Sequence, residues 1–236
     1  MNIFEIKKKF TFYITKNLHL FRFIYLFLKG KNQKKFLVTK NTDLVIEGFP
    51  RSGNSFFEAF INLVFPNLIL AHHTHRIAQI RLAIIYKKPV IFLIRKPSDA
   101  LISYYNFYER KIRFKHILTE YNAYHKSLIK YKKKLLIIRF EEINDKKRII
   151  NKINSELKLE INKKINLKKI SKEQILSNLL KKSNLRHNNK FRESYVDKKK
   201  LKKNFKSYNS SKKKLYEKKN LKLLNEANEI YNDFIK

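Results

Sequence analysis

The chain has 236 residues, 43% of them hydrophobic and 14% aromatic, which is enough apolar material for one substantial core and excludes wholesale disorder. Lys and Arg number 55 against 19 Asp and Glu, a formal charge of +36, so the molecule draws anions: nucleic acid, acidic lipid or polyanionic small molecules. With no cysteine, a disulfide framework and a thiolate metal site are excluded, which suits a reducing, cytoplasmic compartment. The cation excess is mostly Lys, accompanied by many Asn and Ile. AT-rich coding produces the same mixture, so net charge alone does not mark a site.

In chain order, residues 10–28 come first as a largely apolar stretch interrupted by Lys16, His19 and Arg22. Thr11, Thr15, His19 and Arg22 recur at helical spacing, which predicts an amphipathic helix rather than a spanning one. No small-residue cleavage site accompanies it, so no cleavable signal is expected. The helix is expected either to pack on the domain or to make peripheral membrane contact through its apolar face. Gly30 and the polar run 31–35 read as a linker. The expected organisation is an N-terminal helix and linker over 1–40 and an α/β domain over 41–236 with a Lys-rich helical C-terminal region.

Three continuous apolar runs, 44–49, 90–94 and 135–140, read as strands covered on both faces. Between them Ile77, Ile80, Ile84 and Ile85 share one helical face, and so do Ile117, Tyr121, Tyr124, Leu128 and Tyr131. This alternation predicts a three-layer α/β fold around a central, mostly parallel sheet, with a P-loop-like strand-turn-helix after the first strand. The last proline is Pro97 and the last glycine Gly53, so the remainder is biased toward helix and closes with one over 215–235. The lysine clusters at 198–203 and 212–214 are expected on solvated faces or an anion-binding flap.

Two of the three glycines, Gly48 and Gly53, flank the stretch GFPRSGNSFF at 48–57. A strand, a tight turn and a helix start make an anion site, because the first helical N–H groups have no partner within the helix. Ser52, Asn54 and Ser55 add side-chain donors there, and Arg51 adds a planar fork that grips two oxygens. A nucleotide hydrolase would carry Lys at position 54 beside a magnesium ion. Asn54 cannot take that role, so a metal-bound triphosphate is not expected. Arg95 stands at the end of the second apolar run, where ligands bind in open α/β sheets, and Ser103 follows eight residues later. Pro97, Ser98 and Asp99 favour a helix start between them.

GFPRSGNSFF followed by IFLIRKPSDALISYYNFY resembles the sulfotransferase family, whose donor is 3′-phosphoadenosine-5′-phosphosulfate. The resemblance implies that residues 49–56 hold the 5′-phosphosulfate through Arg51, Ser52, Gly53, Asn54, Ser55 and Phe56. It implies that Arg95 and Ser103 hold the 3′-phosphate, with Lys96 departing from the family's usual Asn. Phe140-Glu141-Glu142 resembles a family triplet whose Tyr lies near the adenine in some members. The family's C-terminal phosphate lid has no clear counterpart; Arg186 to Arg192 is the nearest basic substitute. Similarity is strong over 44–107, moderate to Glu142 and poor beyond.

Sulfuryl transfer asks the protein to position two reactants, to stabilise charge with fixed cations and to take a proton from the acceptor. Arg51 is the expected catalytic cation. His75, in a His-Thr-His segment like the family's catalytic one, is the first candidate base; His72, His73 and Glu58 are alternatives. A zinc site from His72, His73 and His75 is not expected, since neighbouring imidazoles diverge and no Cys completes the shell. The acceptor is expected to be a small-molecule or glycan hydroxyl, on a carbohydrate or glycolipid, and specific nucleic-acid binding is not expected. Rival readings of the same features are a small-molecule kinase and a basic protein binding nucleic acid or anionic lipid through a vestigial loop.

Overall fold

A computed structural model of the protein describes residues 6, 10, 17–28, 36–157, 170–187 and 198–236, and the side chains of all of these except 181–187 and 198–206. The described elements, in chain order, are α1 (Leu18–Phe23), β1 (Leu44–Gly48), α2 (Asn54–Val64), β2 (Leu70–His72), α3 (Ile77–Ile85), β3 (Val90–Ile94), α4 (Pro97–Phe107), α5 (Phe114–Ile129), β4 (Leu136–Arg139), α6 (Lys146–Leu157), α7 (Lys172–His187), α8 (Lys198–Leu215) and α9 (Lys218–Ile235). The four strands form one all-parallel sheet in the order β2-β1-β3-β4.

Every residue of β1, β2 and β3 is buried, because helices lie against both faces of the sheet. Val45, Phe92 and Ile94 pack with residues of α3, α4, α5 and α9. The alternate residues Leu44, Ile46, Ile91 and Leu93 pack with α2, α6 and α7. Each such side chain contributes roughly 1.5–3 kcal/mol on leaving water, so the continuous apolar strands need both helical layers. The C-terminal helix α9 is fastened to α5, where Asn122 donates to the Leu223 carbonyl at 3.0 Å and Lys126 pairs with Glu226.

This order places the site. The chain leaves β1 to build β2 on one side, then crosses to build β3 on the other. The carboxyl ends of β1 and β3 therefore stand at the point where the strand order reverses, the usual ligand position in open α/β sheets. Gly48 ends β1 there because a Cβ would lie 2.3 Å from the Leu93 carbonyl oxygen.

The sequence reading differs in three places. The sheet has a fourth strand, β2, too short at three residues to register as an apolar run. Ile85 is 58% exposed, and Ala83 takes the buried face of α3 with Ile77 and Ile80. At the N-terminus, Phe21 is fully buried and its ring lies 4.7 Å from that of Tyr25, while Leu20, Phe23 and Phe27 face outward with Arg22. Thr11, Thr15 and the linker at 30–35 lie outside the described residues. No helix among the described residues is long and apolar enough to cross a membrane.

Candidate active site

The loop after β1 is anchored by Phe49, whose buried ring meets Tyr121 at 5.0 Å and Tyr104 at 5.5 Å. Arg51 (φ 73°) and Gly53 (φ 90°) both adopt left-handed backbone, which for a non-glycine costs on the order of 1 kcal/mol and holds only where the surroundings enforce it. A Cβ at Gly53 would meet Ile143 Cδ1 at 2.7 Å and the Phe140 ring at 3.0 Å, so glycine is required for space as well. The first i−4 bond of α2 runs from Phe57 N–H to the Gly53 carbonyl at 3.0 Å. The N–H groups of Asn54, Ser55 and Phe56 precede it and lie at the positive end of the helix.

The side-chain donors expected at this helix start are arranged otherwise. Asn54 turns back to donate Nδ2 to the Phe49 carbonyl at 3.1 Å, closing the loop. Ser55 Oγ is 2.7 Å from His73 Nε2. Ser52 is fully buried, and neither its Oγ nor Asn54 Oδ1 has a hydrogen-bond partner. Phe56 packs half-buried against the core beneath α2. Of the loop's side chains, Arg51, Ser55 and Phe56 stay partly exposed, while Ser52 and Asn54 are buried.

The two sequence stretches meet here. Arg51 Nε donates to Ser103 Oγ at 3.0 Å, and Arg95 Nη1 donates to the Arg51 carbonyl at 3.0 Å. The Arg51 guanidinium lies 4.9 Å from the Phe107 ring, and that of Arg95 sits 4.0 Å over Phe140. Phe140 thus lies between Gly53 and Arg95. Burial lowers the pKa of Arg95, opposed by the charges of Asp99 and Glu141; guanidinium stays charged regardless. Arg95 Nε is buried without a partner.

Asp99, Ser103 and Asn106 share one stripe of α4, and α8 runs along it. Tyr208 donates to Asp99 Oδ1 at 2.7 Å, and Ser211 donates to Asn106 Oδ1 at 2.7 Å. Burial, then the Asp99 carboxylate, push the Tyr208 hydroxyl up to about 12. The basic segment Arg186 to Arg192, read as a substitute phosphate clamp, lies outside the residues whose side chains are described.

The segment after β2 is strained at both His73 (φ 61°) and His75 (φ 52°). His75 Nδ1 is 2.8 Å from the Gly48 carbonyl. A carbonyl only accepts, so Nδ1 carries the proton and the basic lone pair is on Nε2. The backbone is held by Glu47, a carboxylate buried near the carboxyl end of β1. Glu47 Oε1 accepts from Thr74 N–H and Thr74 Oγ1–H, each at 2.8 Å, and Oε2 accepts from His75 N–H at 2.9 Å. Burial raises this carboxyl to about 7, with the Thr74 and His75 donors acting the other way.

The other candidate bases form a chain inward from the loop. His73 joins Ser55 through Nε2 and His72 through Nδ1, and His72 Nε2 is 3.8 Å from Glu58 Oε1. The expectation that adjacent imidazoles diverge is corrected here: their Nδ1 atoms approach to 2.5 Å. Glu58, His72 and His73 offer ligand atoms within 4.8 Å of one another. His72 turns Nδ1 to His73 and Nε2 to Glu58, the latter at an ion-pair and not a hydrogen-bond distance, so the three side chains form a polar cluster running inward. His72 and Glu58 are buried at 6% and 1%, beyond an acceptor's reach, whereas the His75 side chain is 26% exposed beside Gly48.

Sequence reasoning missed Glu47, Phe107 and Tyr208. For Glu47 a signal existed, a lone carboxylate inside the otherwise apolar run LVIEG. Compared with protein families, with curated proteins and with solved structures, the chain matches none.

Proposed function

We propose that the chain is a sulfotransferase, moving a sulfuryl group from 3′-phosphoadenosine-5′-phosphosulfate to an acceptor hydroxyl, on a P-loop-like cradle formed by the loop after β1. The observation that carries this reading is the joining of Arg51, Ser103 and Arg95 at adjacent strand ends, from two motifs 44 to 52 residues apart. A helix start, two guanidinium groups and a serine suit a ligand with phosphate at two separate places. The unpartnered, buried Arg95 Nε and Ser52 Oγ are consistent with polar groups that a ligand completes.

The donor supplies the sulfuryl group on a phosphate leaving group. Arg51 and the N–H groups of Asn54 to Phe56 hold its sulfate and 5′-phosphate oxygens, and Arg95 with Ser103 holds the 3′-phosphate. Phe140, already against Gly53 and Arg95, offers a flat apolar wall to the adenine. His75 Nε2 takes the acceptor proton as general base. The acceptor class is a carbohydrate or glycolipid hydroxyl, in keeping with Arg in the loop and a cationic surface.

Calorimetry with 3′,5′-adenosine bisphosphate in the absence of magnesium tests the reading. Binding is expected, weakened roughly 10- to 100-fold in Arg95→Ala, since a charged hydrogen-bonding partner is worth about 1.5–3 kcal/mol. His75→Ala should keep that affinity and lose about 10²- to 10⁴-fold in turnover. Tight magnesium-ATP binding with no bisphosphate binding would overturn the proposal in favour of a kinase. Polynucleotide binding indifferent to Arg95→Ala, again with no bisphosphate binding, would favour a basic binding protein.

A further inference from the structure

His75 acts in the proposed reaction only if one ring nitrogen is free of its proton and its ring is held in place. Both conditions trace to a residue outside the cradle. His75 has left-handed backbone, a conformation it would not hold unaided. Its N–H is tied to Glu47 Oε2 at 2.9 Å, and the neighbouring Thr74 is tied through both N–H and hydroxyl to Oε1. The ring that this backbone carries then donates Nδ1–H to the Gly48 carbonyl, one residue beyond Glu47 on β1. Glu47 itself cannot move, because it is fully buried in the second residue from the end of the central strand.

We propose that Glu47 is the positioning residue for His75: its carboxylate fixes the strained Thr74-His75 backbone so that the imidazole is held as the Nδ1–H tautomer with Nε2 available as base. The base role of His75 rests on the sulfotransferase reading; the control of its tautomer by Glu47 does not. The groups around the carboxylate are compatible with this. Tyr25, carried by the turn after α1, and Tyr124 from α5 each feel the Glu47 charge, and both are phenols whose pKa is raised by burial, so they stay neutral. Arg76 lies close enough to act on both tyrosines and lowers the pKa of each against burial. His75 Nδ1 is 3.9 Å from Glu47 Oε2, so the ring lies close enough for its shifts to sense the charge on that carboxyl.

The test is ¹⁵N NMR of the histidine rings, which needs neither donor nor acceptor. In the wild type His75 should show the Nδ1–H pattern at neutral pH. In Glu47→Gln the backbone anchor is lost, the ring leaves the Gly48 carbonyl, and the signal should move to the Nε2–H form that an unconstrained neutral imidazole favours. Thr74→Val removes one hydrogen bond to Oε1 and leaves the His75 anchor in place, so its pattern should match the wild type. Should Glu47→Gln not fold, the wild type alone decides. The His75 ring shifts must then show a second inflection where the Glu47 carboxyl titrates, followed through its own ¹³C signal. An unchanged tautomer in Glu47→Gln, or no inflection in the wild type, overturns the assignment. If bisphosphate binding fails while the tautomer moves as expected, the reaction is wrong and the positioning stands. Turnover of the wild type with an unmoved tautomer in Glu47→Gln sinks the positioning alone.

Discussion

The same layer of the core buries two ionisable side chains and treats them oppositely. Glu47, at the carboxyl end of β1, is surrounded by donors that end in a strained loop and a partly exposed histidine. His125, one helix away on α5, is enclosed by rings: Tyr121 at 4.0 Å, Tyr124 at 5.2 Å, Phe92 and Phe234 each at 5.8 Å, and Phe49 at 5.9 Å. Its Nδ1 donates to the Tyr121 carbonyl at 2.9 Å, and its Nε2 has no partner. Burial is the dominant influence on both, yet only the Glu47 network leads anywhere. A buried charge-bearing group is therefore informative when its partners run to a surface, and is core packing when they do not.

The comparison breaks most visibly at low pH. Burial drives the His125 imidazole down to about 4 from an ordinary 6.5. As pH falls the unfolded chain takes up this proton first, so the stability contributed is complete above about 6.5 and is lost toward pH 4, by about 3 kcal/mol. His125→Phe keeps an aromatic ring in the cage and removes the titration. In the Glu47→Gln background, where the opposing carboxyl is gone, urea midpoints should fall steeply from about pH 6.5 to about 4, and far less once His125→Phe is added. Parallel curves would show that the buried imidazole does not set the acid limb.

Glu47 should give the reverse slope. Its folded value of about 7 stands above the ordinary 4.5, so its contribution is complete below about 4.5 and is lost as pH rises through 7, by about 3 kcal/mol. Between about pH 4.5 and 6.5 the two groups oppose each other, and their sum in the wild type is nearly flat. Each single variant exposes the other group. His125→Phe should become less stable as pH rises through this window, and Glu47→Gln should become more stable. Two variants sloping the same way would refute the opposition.

Much of this was legible in the sequence, for identifiable reasons. Short continuous runs rich in β-branched residues, such as VIFLI, read as strands buried on both faces, and the position of Arg95 at the end of one followed directly. Rare glycines at 48 and 53 marked the turn, because close backbone approach and left-handed φ admit little else. The partnership of Arg51 with Ser103 was less visible. The sequence placed each in its own phosphate site, and only the adjacency of β1 and β3 brings the guanidinium onto the hydroxyl. The sense of Asn54 and Ser55 was also hidden, since a polar side chain at a helix start turns inward or outward according to its tertiary neighbours. Glu47 was readable as an anomaly but not as a partner of His75, which depends on pairing β1 with a strand of three residues.

The smallest effect concerns the other margin of the site, where α8 lies on α4. Tyr208→Phe keeps the ring and removes the hydroxyl that donates to Asp99. Both side chains are partly exposed, so water replaces the lost partner, and the cost should be about 0.5–1 kcal/mol in stability. Asp99 acts electrostatically on Arg95, and an Asp99 carboxylate without its tyrosine donor is a stronger competitor for that guanidinium. The affinity for 3′,5′-adenosine bisphosphate should therefore drop about 3-fold in low salt. The drop should shrink at high ionic strength, where such a contact is screened. The Glu47 slope, by contrast, should keep its size in high salt, because no ions reach that carboxylate. Equal salt sensitivity of the two effects would mean that Glu47 is reached by solvent and that the contrast between buried network and exposed margin does not hold.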